Sequence, residues 1–499
     1  MSAANWSGVR DCDGEGHLSV WSAGGLEDQE LTIASEDYSL LTDLYQLTMT
    51  ACYVGEQLEN QRASFELFAR RLPADFGYLI AMGLAQALDY LEKFRFSPTQ
   101  IKALQATHLF DQAPERFWNL LAEARFTGDV WAVPEGTAIF ANEPLLRVEA
   151  PLWQAQVVET YLLNTLNYQT LIATRAARMR DVAGTQTTLL EFGTRRAFSP
   201  QASLWAARAA LAAGFNATSN VLAALKLGRK PSGTMAHSLV MALAAMEGSE
   251  AEAFTAFHRY FPGAPLLIDT YDTIAAARQL ATQLESGRMH LAGVRIDSGD
   301  LVSLSKQVRE LLPGVPIFAS GDLDEYRIAE FKAAGAEIDG YGLGTQLVTG
   351  VPVNGAYKLV EISGIPVMKK STGKATYPGR KQIFRRYGDG VVQGDRLGLV
   401  EEEGSGVGNW GLGIGSQETG EIQNPKSKIQ NSSEVPLLQL VMKEGQRLYP
   451  PESLEAIAQR TAHSVASLPA VTRELRQPTS IPVELSPALL SLIAKTGGG

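Results

Sequence analysis

Between Thr187 and Ala334, short apolar runs alternate with longer amphipathic ones, and no other feature of the chain restricts the fold as much. The apolar runs are Thr187–Phe192, Pro265–Asp269, Gly293–Asp297 and Pro316–Ala319. The amphipathic runs are Ala202–Ala213, Ile274–Leu284, Leu301–Leu312 and Asp324–Ala334, and a longer one, Trp153 to about Arg180, precedes them all. Short apolar runs suit buried strands, and a strand joined through a helix to the next strand implies parallel pairing with crossover helices. Polar residues gather where each apolar run ends, at Glu191–Arg196, Asp269–Asp272, Arg295–Asp300 and Gly321–Asp322. Parallel barrels carry their catalytic groups on that rim, although an open doubly wound sheet also binds ligands there. The expected class is α/β: an irregular TIM-like α/β barrel over residues 151–354, beside a mixed α+β domain built from both flanks.

A chain of 499 residues exceeds what one hydrophobic core usually supports, which agrees with two domains. The mixed domain is expected to draw on residues 35–150 and 355–490. A helix-like run starts near Leu40, and alternating stretches at Ala63–Phe68, Gly128–Pro134, Leu145–Val148 and Lys358–Ile362 read as strands. A further helix is expected at Pro451–Arg460. Residues 1–34 and 401–433 are rich in small and polar groups and poor in large apolar ones, so both are expected to be disordered.

The net charge of -10 argues against a broad basic surface for nucleic acid, while leaving room for a small anionic substrate held by a few arginines. Cys12 and Cys52 are the only cysteines, too few for a disulfide framework and without metal-ligand spacing. No stretch approaches the roughly 18 apolar residues of a membrane span, and Met1–Glu30 lacks the pattern of a secretory signal. Cytoplasmic residence, away from membranes, is the expectation by elimination.

His237 follows the small-residue turn Ser232-Gly233-Thr234, where a ligand can approach the backbone closely. A lone histidine is more often structural, and nearby strand-end carboxylates are what favour chemistry. Arg295 and Asp297 alternate on one strand and so face the same way. Arginine suits bidentate recognition of a carboxylate, and aspartate suits hydroxyls or hydrated Mg²⁺; a salt bridge between strands is the bland alternative. Asp300 adds a third charge on that turn, which favours function over a purely structural pair. Gly340–Thr345 reads as a glycine-rich turn able to line a phosphate, though its spacing fits neither the dinucleotide fingerprint nor the P-loop. Tyr45 and Phe192 could flank a flat ring, or could equally be core residues.

Taken together, Leu41–Met49, Glu191–Arg196, Ala217–Asn220, Ser232–Ser238, Leu267–Thr273, Val294–Leu301, Gly342–Thr345, Tyr357–Glu361 and Pro378–Lys381 resemble the nicotinate phosphoribosyltransferase family. The likeness runs in consistent order from about Leu40 to Arg386. Ala217 stands where glycine is usual, which could tighten a turn near the substrate, and Gly321 where Asn is frequent. The resemblance implies that ATP phosphorylates His237, with Asp269 orienting the imidazole, and that nicotinate then attacks phosphoribosyl pyrophosphate bound with Mg²⁺. It also implies that Tyr45, supplied by the partner subunit of a homodimer, and Phe192 sandwich the pyridine ring, while Arg295 and Thr234 hold nicotinate. Arg195, Asp297, Asp322, Gly342, Gly344 and Thr345 would serve the ribose, phosphates or metal, with Asp297 and Asp322 as the metal ligands.

Ser219 separates acid from amide. Related nicotinamide enzymes carry aspartate there, which accepts a hydrogen bond from the amide –NH₂ but repels a carboxylate, whereas a serine hydroxyl donates to one. A quinolinate enzyme would call for a denser basic pocket, and a Schiff-base aldolase for a strand-end lysine. A non-catalytic metabolite binder would need no phosphorylatable histidine. The expected outcome is a strong preference for nicotinate. Steady-state assays with both substrates check it, and equal turnover of nicotinamide would refute it.

Overall fold

The computed structural model describes residues 31–371, 376–405 and 434–497. The disorder expected for residues 1–30 and 406–433 lies outside the described residues. Within 401–433, the first residues belong to a 3-10 helix, Val400–Ser405. Leu31–Ala34 carry no regular structure.

The strand–helix rhythm folds as expected. Strands Thr188–Glu191, Leu266–Leu267, Val294–Ile296 and Ile317–Ala319 alternate with helices Pro200–Ala212, Thr273–Glu285, Leu301–Leu311 and Glu325–Ala333. Two further strands complete a six-stranded parallel sheet. Its order is Ala217–Thr218, Thr188–Glu191, Gly340–Leu343, Ile317–Ala319, Val294–Ile296, Leu266–Leu267. The glycine-rich stretch expected as a turn is therefore itself mostly strand. Glycine is needed there because Phe318, on one neighbouring strand, and Phe192, just past the end of the other, lean over Gly340 and Gly342. Ala217 likewise sits in an extended strand paired with Leu190, so its methyl group tightens no turn.

The outer strands Ala217–Thr218 and Leu266–Leu267 are not paired with each other. Instead, the segment Ser232–Thr234 bridges them: the Ser232 amide donates to Thr218 O at 2.9 Å, and Thr234 Oγ1 donates to Pro265 O at 2.5 Å. The sheet thus curls far enough for one extended segment to reach both of its edges.

Antiparallel pairing dominates the flanks. A seven-stranded sheet runs Ile365–Pro366, Gly355–Ile362, Arg62–Ala69, Pro144–Pro151, Asp129–Ala132, Gln439–Lys443, Gln446–Arg447, interleaving strands from both ends of the chain. A four-stranded sheet joins Glu434–Pro436, Lys381–Gly388, Val391–Leu399 and Val483–Leu485. The N-terminal helix is Leu44–Gly55, and the C-terminal expectation appears as Leu454–Ala466. The long helix expected from Trp153 is broken at Val158 into Leu152–Val157 and Glu159–Ala183.

Glu159–Ala183 is the central column. It buries Leu162, Ile172, Ala173, Ala176 and Met179 completely, and packs on helices from both parts of the chain. A buried Leu or Ile side chain stabilises by about 1.5–3 kcal/mol, so this face contributes heavily. Arg178 lies on the same helix with only 1% of its side chain exposed, paired with Glu325 at 2.9 Å. Its other nitrogens donate to Asp75 O, Tyr326 Oη and Leu475 O, and the guanidinium stacks over Phe76. One cation thereby ties three distant segments together. No helix among the described residues is long and apolar enough to cross a membrane.

Removing one partner of such a pair leaves an uncompensated buried charge. Arg178→Met is expected to lose about 3–5 kcal/mol in a urea titration. Arg327→Met, which breaks the exposed pair with Glu330, is expected to lose under about 1 kcal/mol.

Candidate active site

Parallel pairing brings the carboxyl ends of the strands to one rim, and the residues there first hold one another. Glu191, fully buried, accepts from the Gly193 amide and the Thr218 hydroxyl. Burial raises its pKa, and these two donors offset only part of that rise. Asp269 Oδ2 accepts from the Asp297 amide at 2.9 Å and from Ser298 Oγ at 2.7 Å. Asp297 Oδ1 in turn accepts from Ser320 Oγ. Gly321 has a φ of 98°, and a Cβ there would collide with Asp297 O, so only glycine lets this turn cross so close. Asp322 follows, itself left-handed at a φ of 48°, and is exposed.

Half-buried His237 opens the helix His237–Glu247. Its Nδ1 lies 3.1 Å from Thr270 Oγ1. Asp269 was expected to orient this ring, but its Oδ2 is engaged by Asp297 and Ser298, and the neighbouring Thr270 makes the contact instead. Asp269 Oδ1 is buried with no protein partner. The connection His237–Thr270–Asp269–Asp297 is nevertheless continuous, so the imidazole belongs to the same rim as the carboxylates.

Below the rim is a cavity of about 180 Å³, lined by Phe192, Thr234, Arg295 and Gly342 among others. Arg295 Nε is buried without a partner. Burial lowers its pKa, while Asp297 and Asp269 act in the opposite sense, and a guanidinium remains charged under these influences. An unpaired buried donor of this kind calls for an anionic ligand group.

The remaining expected residues divide. Ser219 donates its amide to Glu191 O and stands beside Gly233, just behind the cavity wall. Thr234 lines the cavity but its hydroxyl proton goes to Pro265 O, so its role toward a carboxylate is contact and not donation. Arg195 is exposed and close enough to Arg295 to oppose its charge. Gly344 lies against Phe192 O, and Thr345 begins a single helical turn, Thr345–Val348. Tyr45 is not brought to the rim: its hydroxyl donates to Glu159 Oε2 at 3.2 Å, and burial followed by that carboxylate raises its pKa to about 12. Asp300 is a helix cap, accepting from the Val302 and Ser303 amides, so the third charge on that turn is structural after all.

The sequence assigns no role to Thr270, Ser298, Ser320 or Glu250. Hydroxyl residues after strands carry no distinctive signal, and Glu250 reads as an ordinary acid in a helix first turn. In the structure Glu250 Oε1 is buried without a partner, and its pKa is raised to about 7 by burial, then by Asp269 and Asp272. Among the described residues, no group of three or more His, Cys, Asp or Glu side chains is placed to hold a metal ion.

A parallel sheet whose strand ends surround a cavity with an imidazole, carboxylates and a guanidinium defines an α/β protein that holds a small anionic ligand at its rim. Residues 40–167 match the nicotinate phosphoribosyltransferase N-terminal domain, and residues 380–493 match the C-terminal domain of the same family. A nicotinate phosphoribosyltransferase of Bacillus subtilis is 37% identical over 92% of this chain and 94% of its own length. One from Mycobacterium tuberculosis is 44% identical over 72% of this chain and 78% of its own. The structure of human nicotinic acid phosphoribosyltransferase superposes with a TM-score of 0.75 at 30% identity, covering 91% of this chain and 99% of that one. The chain belongs to the nicotinate phosphoribosyltransferase family.

Glu250 gives a pH test. Its folded pKa is raised, so its contribution to stability is present below the unfolded value and is lost as pH rises through about 7. Glu250→Gln is expected to melt with the wild type near pH 5 and above it at pH 8. The gain should not exceed about 1 kcal/mol, because the group keeps solvent contact. Scanning calorimetry at the two pH values checks it; an equal offset at both would sink the assignment.

Proposed function

We propose that this chain is a nicotinate phosphoribosyltransferase, joining nicotinate to phosphoribosyl pyrophosphate to give nicotinate mononucleotide and pyrophosphate, coupled to ATP hydrolysis. One observation carries the reading beyond family membership: Phe192 and Arg295 line a single cavity directly under a rim that holds His237, Asp269 and Asp297. The pyridine ring would lie against Phe192 with its carboxylate toward the unpaired Arg295 guanidinium. That leaves the ring nitrogen pointing to the rim, where the ribose must arrive. The nitrogen lone pair attacks the anomeric carbon as the bond to the pyrophosphate oxygen breaks. The transition state is oxocarbenium-like, so positioning and charge stabilisation supply most of the acceleration.

His237 Nε2 would accept the γ-phosphoryl group of ATP, with ADP leaving, while Thr270 holds Nδ1 and thereby the ring orientation. Asp297 would bind the ribose hydroxyls. Asp297 and Asp322 would hold Mg²⁺, which typically takes one or two carboxylates together with substrate phosphates. When bound, the ion would neutralise the charge developing on pyrophosphate. Arg195, Gly344 and Thr345 would meet phosphate, and Ser219 would favour the acid over the amide. Tyr45 would reach the ring from the partner subunit of a homodimer. We take residues 151–354 as the catalytic unit, an irregular barrel with Ser232–Thr234 spanning its gap. Residues 35–150 with 355–490 would form the mixed unit. A cytoplasmic location fits this metabolic role.

Incubation with γ-labelled ATP tests the phosphohistidine. Wild-type protein should take up acid-labile label, and His237→Ala should take up none; label retained by His237→Ala would move the acceptor elsewhere.

A further inference from the structure

The inner face of the parallel sheet is organised in layers by register. Phe318 is paired with Arg295 on one side and with Gly340 on the other, and Gly340 is paired with Thr188. These residues form one layer on the face that lines the cavity. Their neighbours along the strands, Val294, Ile296, Ile317 and Ala319, point the other way and are 0–1% exposed. Phe318 and Arg295 keep partial exposure because they border open space instead of packed core.

The Phe318 ring is held in place by what its neighbours lack. A Cβ on Gly340 would come within 2.7 Å of two ring carbons, and one on Gly293 within 3.0 Å. The ring therefore lies against bare backbone on both sides. One layer above, Phe192 leans on Gly342 in the same manner. Below Phe318 the cavity continues to Gly263, Pro265 and Ala292, which precede their strands. Phe318 thus stands between the upper space bounded by Phe192 and the lower space bounded by those small residues.

From this geometry we infer that Phe318 is a specificity-determining residue, narrowing the cavity at the Arg295 layer so that it admits one aromatic ring bearing a carboxylate and rejects a fused second ring. The inference rests on the pyridine-carboxylate reading above. With the carboxylate at Arg295 and the ring nitrogen at the rim, the ring carbon opposite the nitrogen points down the cavity, toward Phe318. A ring fused on that side collides with the phenyl group, and the space below remains out of reach.

Isoquinoline-4-carboxylate is nicotinate with a second ring fused on the side away from the nitrogen, and it makes the probe. Wild type, Phe318→Leu and Phe318→Ala would be assayed with both acids, and binding of each acid read separately by the thermal shift it produces. The ratio of kcat/KM for the bicyclic acid over nicotinate is expected to rise about tenfold or more in Phe318→Ala, the scale of discrimination by one apolar wall, with Phe318→Leu between. The thermal shift by the bicyclic acid should increase in the same order. An unchanged ratio and an unchanged shift in variants that still bind nicotinate would overturn the role of Phe318. Wild type that neither binds nor turns over nicotinate would instead refute the substrate reading. In that case, monocyclic and bicyclic aromatic carboxylates compared by thermal shift alone still decide whether Phe318 limits size.

Discussion

Asp269 directs one carboxylate oxygen at the Asp297 amide and the Ser298 hydroxyl, across two adjacent strand ends. Glu191 does the same between its own turn and Thr218, and Asp297 extends the chain to Ser320. Strands of two to four residues have few ladder hydrogen bonds to keep their ends aligned. Charge-assisted bonds to the neighbouring main chain supply that alignment, and each contributes about 1.5–3 kcal/mol when buried. The rim is therefore fixed by carboxylates acting on protein before any ligand arrives. Preorganisation of this kind is what electrostatic catalysis requires, since donors and charges need not move as the reaction proceeds.

The same arrangement leaves two groups unmatched. Arg295 Nε and Asp269 Oδ1 are both buried without protein partners, one cationic and one anionic, on adjacent strands and close enough to act on each other. Buried polar groups are normally satisfied, so unpaired ones at a cavity mark where ligand or water completes the structure. Glu250 adds a carboxyl held near neutrality by burial and by the charges of Asp269 and Asp272. Acid is thus in excess around the rim, and the helix carboxyl of Glu250 takes up a proton more readily than free glutamate would.

Glycines explain the shape of the cavity better than they explain phosphate binding. Gly340 and Gly342 are bare because phenyl rings from neighbouring strands occupy the volume a side chain would need. The aromatic lining thereby sits closer to the sheet than ordinary interstrand packing allows. Outside the sheet, the helix Glu159–Ala183 links it to the antiparallel sheets, with Arg178 as the polar pin and Glu159 as the partner of Tyr45. Tyr45 belongs to that second region within one chain.

The strand–helix alternation, the strand-end clustering of polar residues and most element positions were legible from the sequence alone, because they follow from local apolar periodicity. Candidate residues His237, Asp269, Arg295 and Asp297 were legible too, since their types and strand-end placement are local properties. Roles were not. Whether Asp269 meets His237 or Asp297, whether Asp300 serves a ligand or caps a helix, and whether Gly342 lines a phosphate or clears a phenyl ring all depend on which distant segments meet. Hydrogen bonds between side chains and the main chain of neighbouring strands are set by register and by backbone turns such as Gly321-Asp322, and register is a property of the assembled sheet. Periodicity acts over a few residues, whereas these contacts join residues tens of positions apart, so only the tertiary structure could assign them.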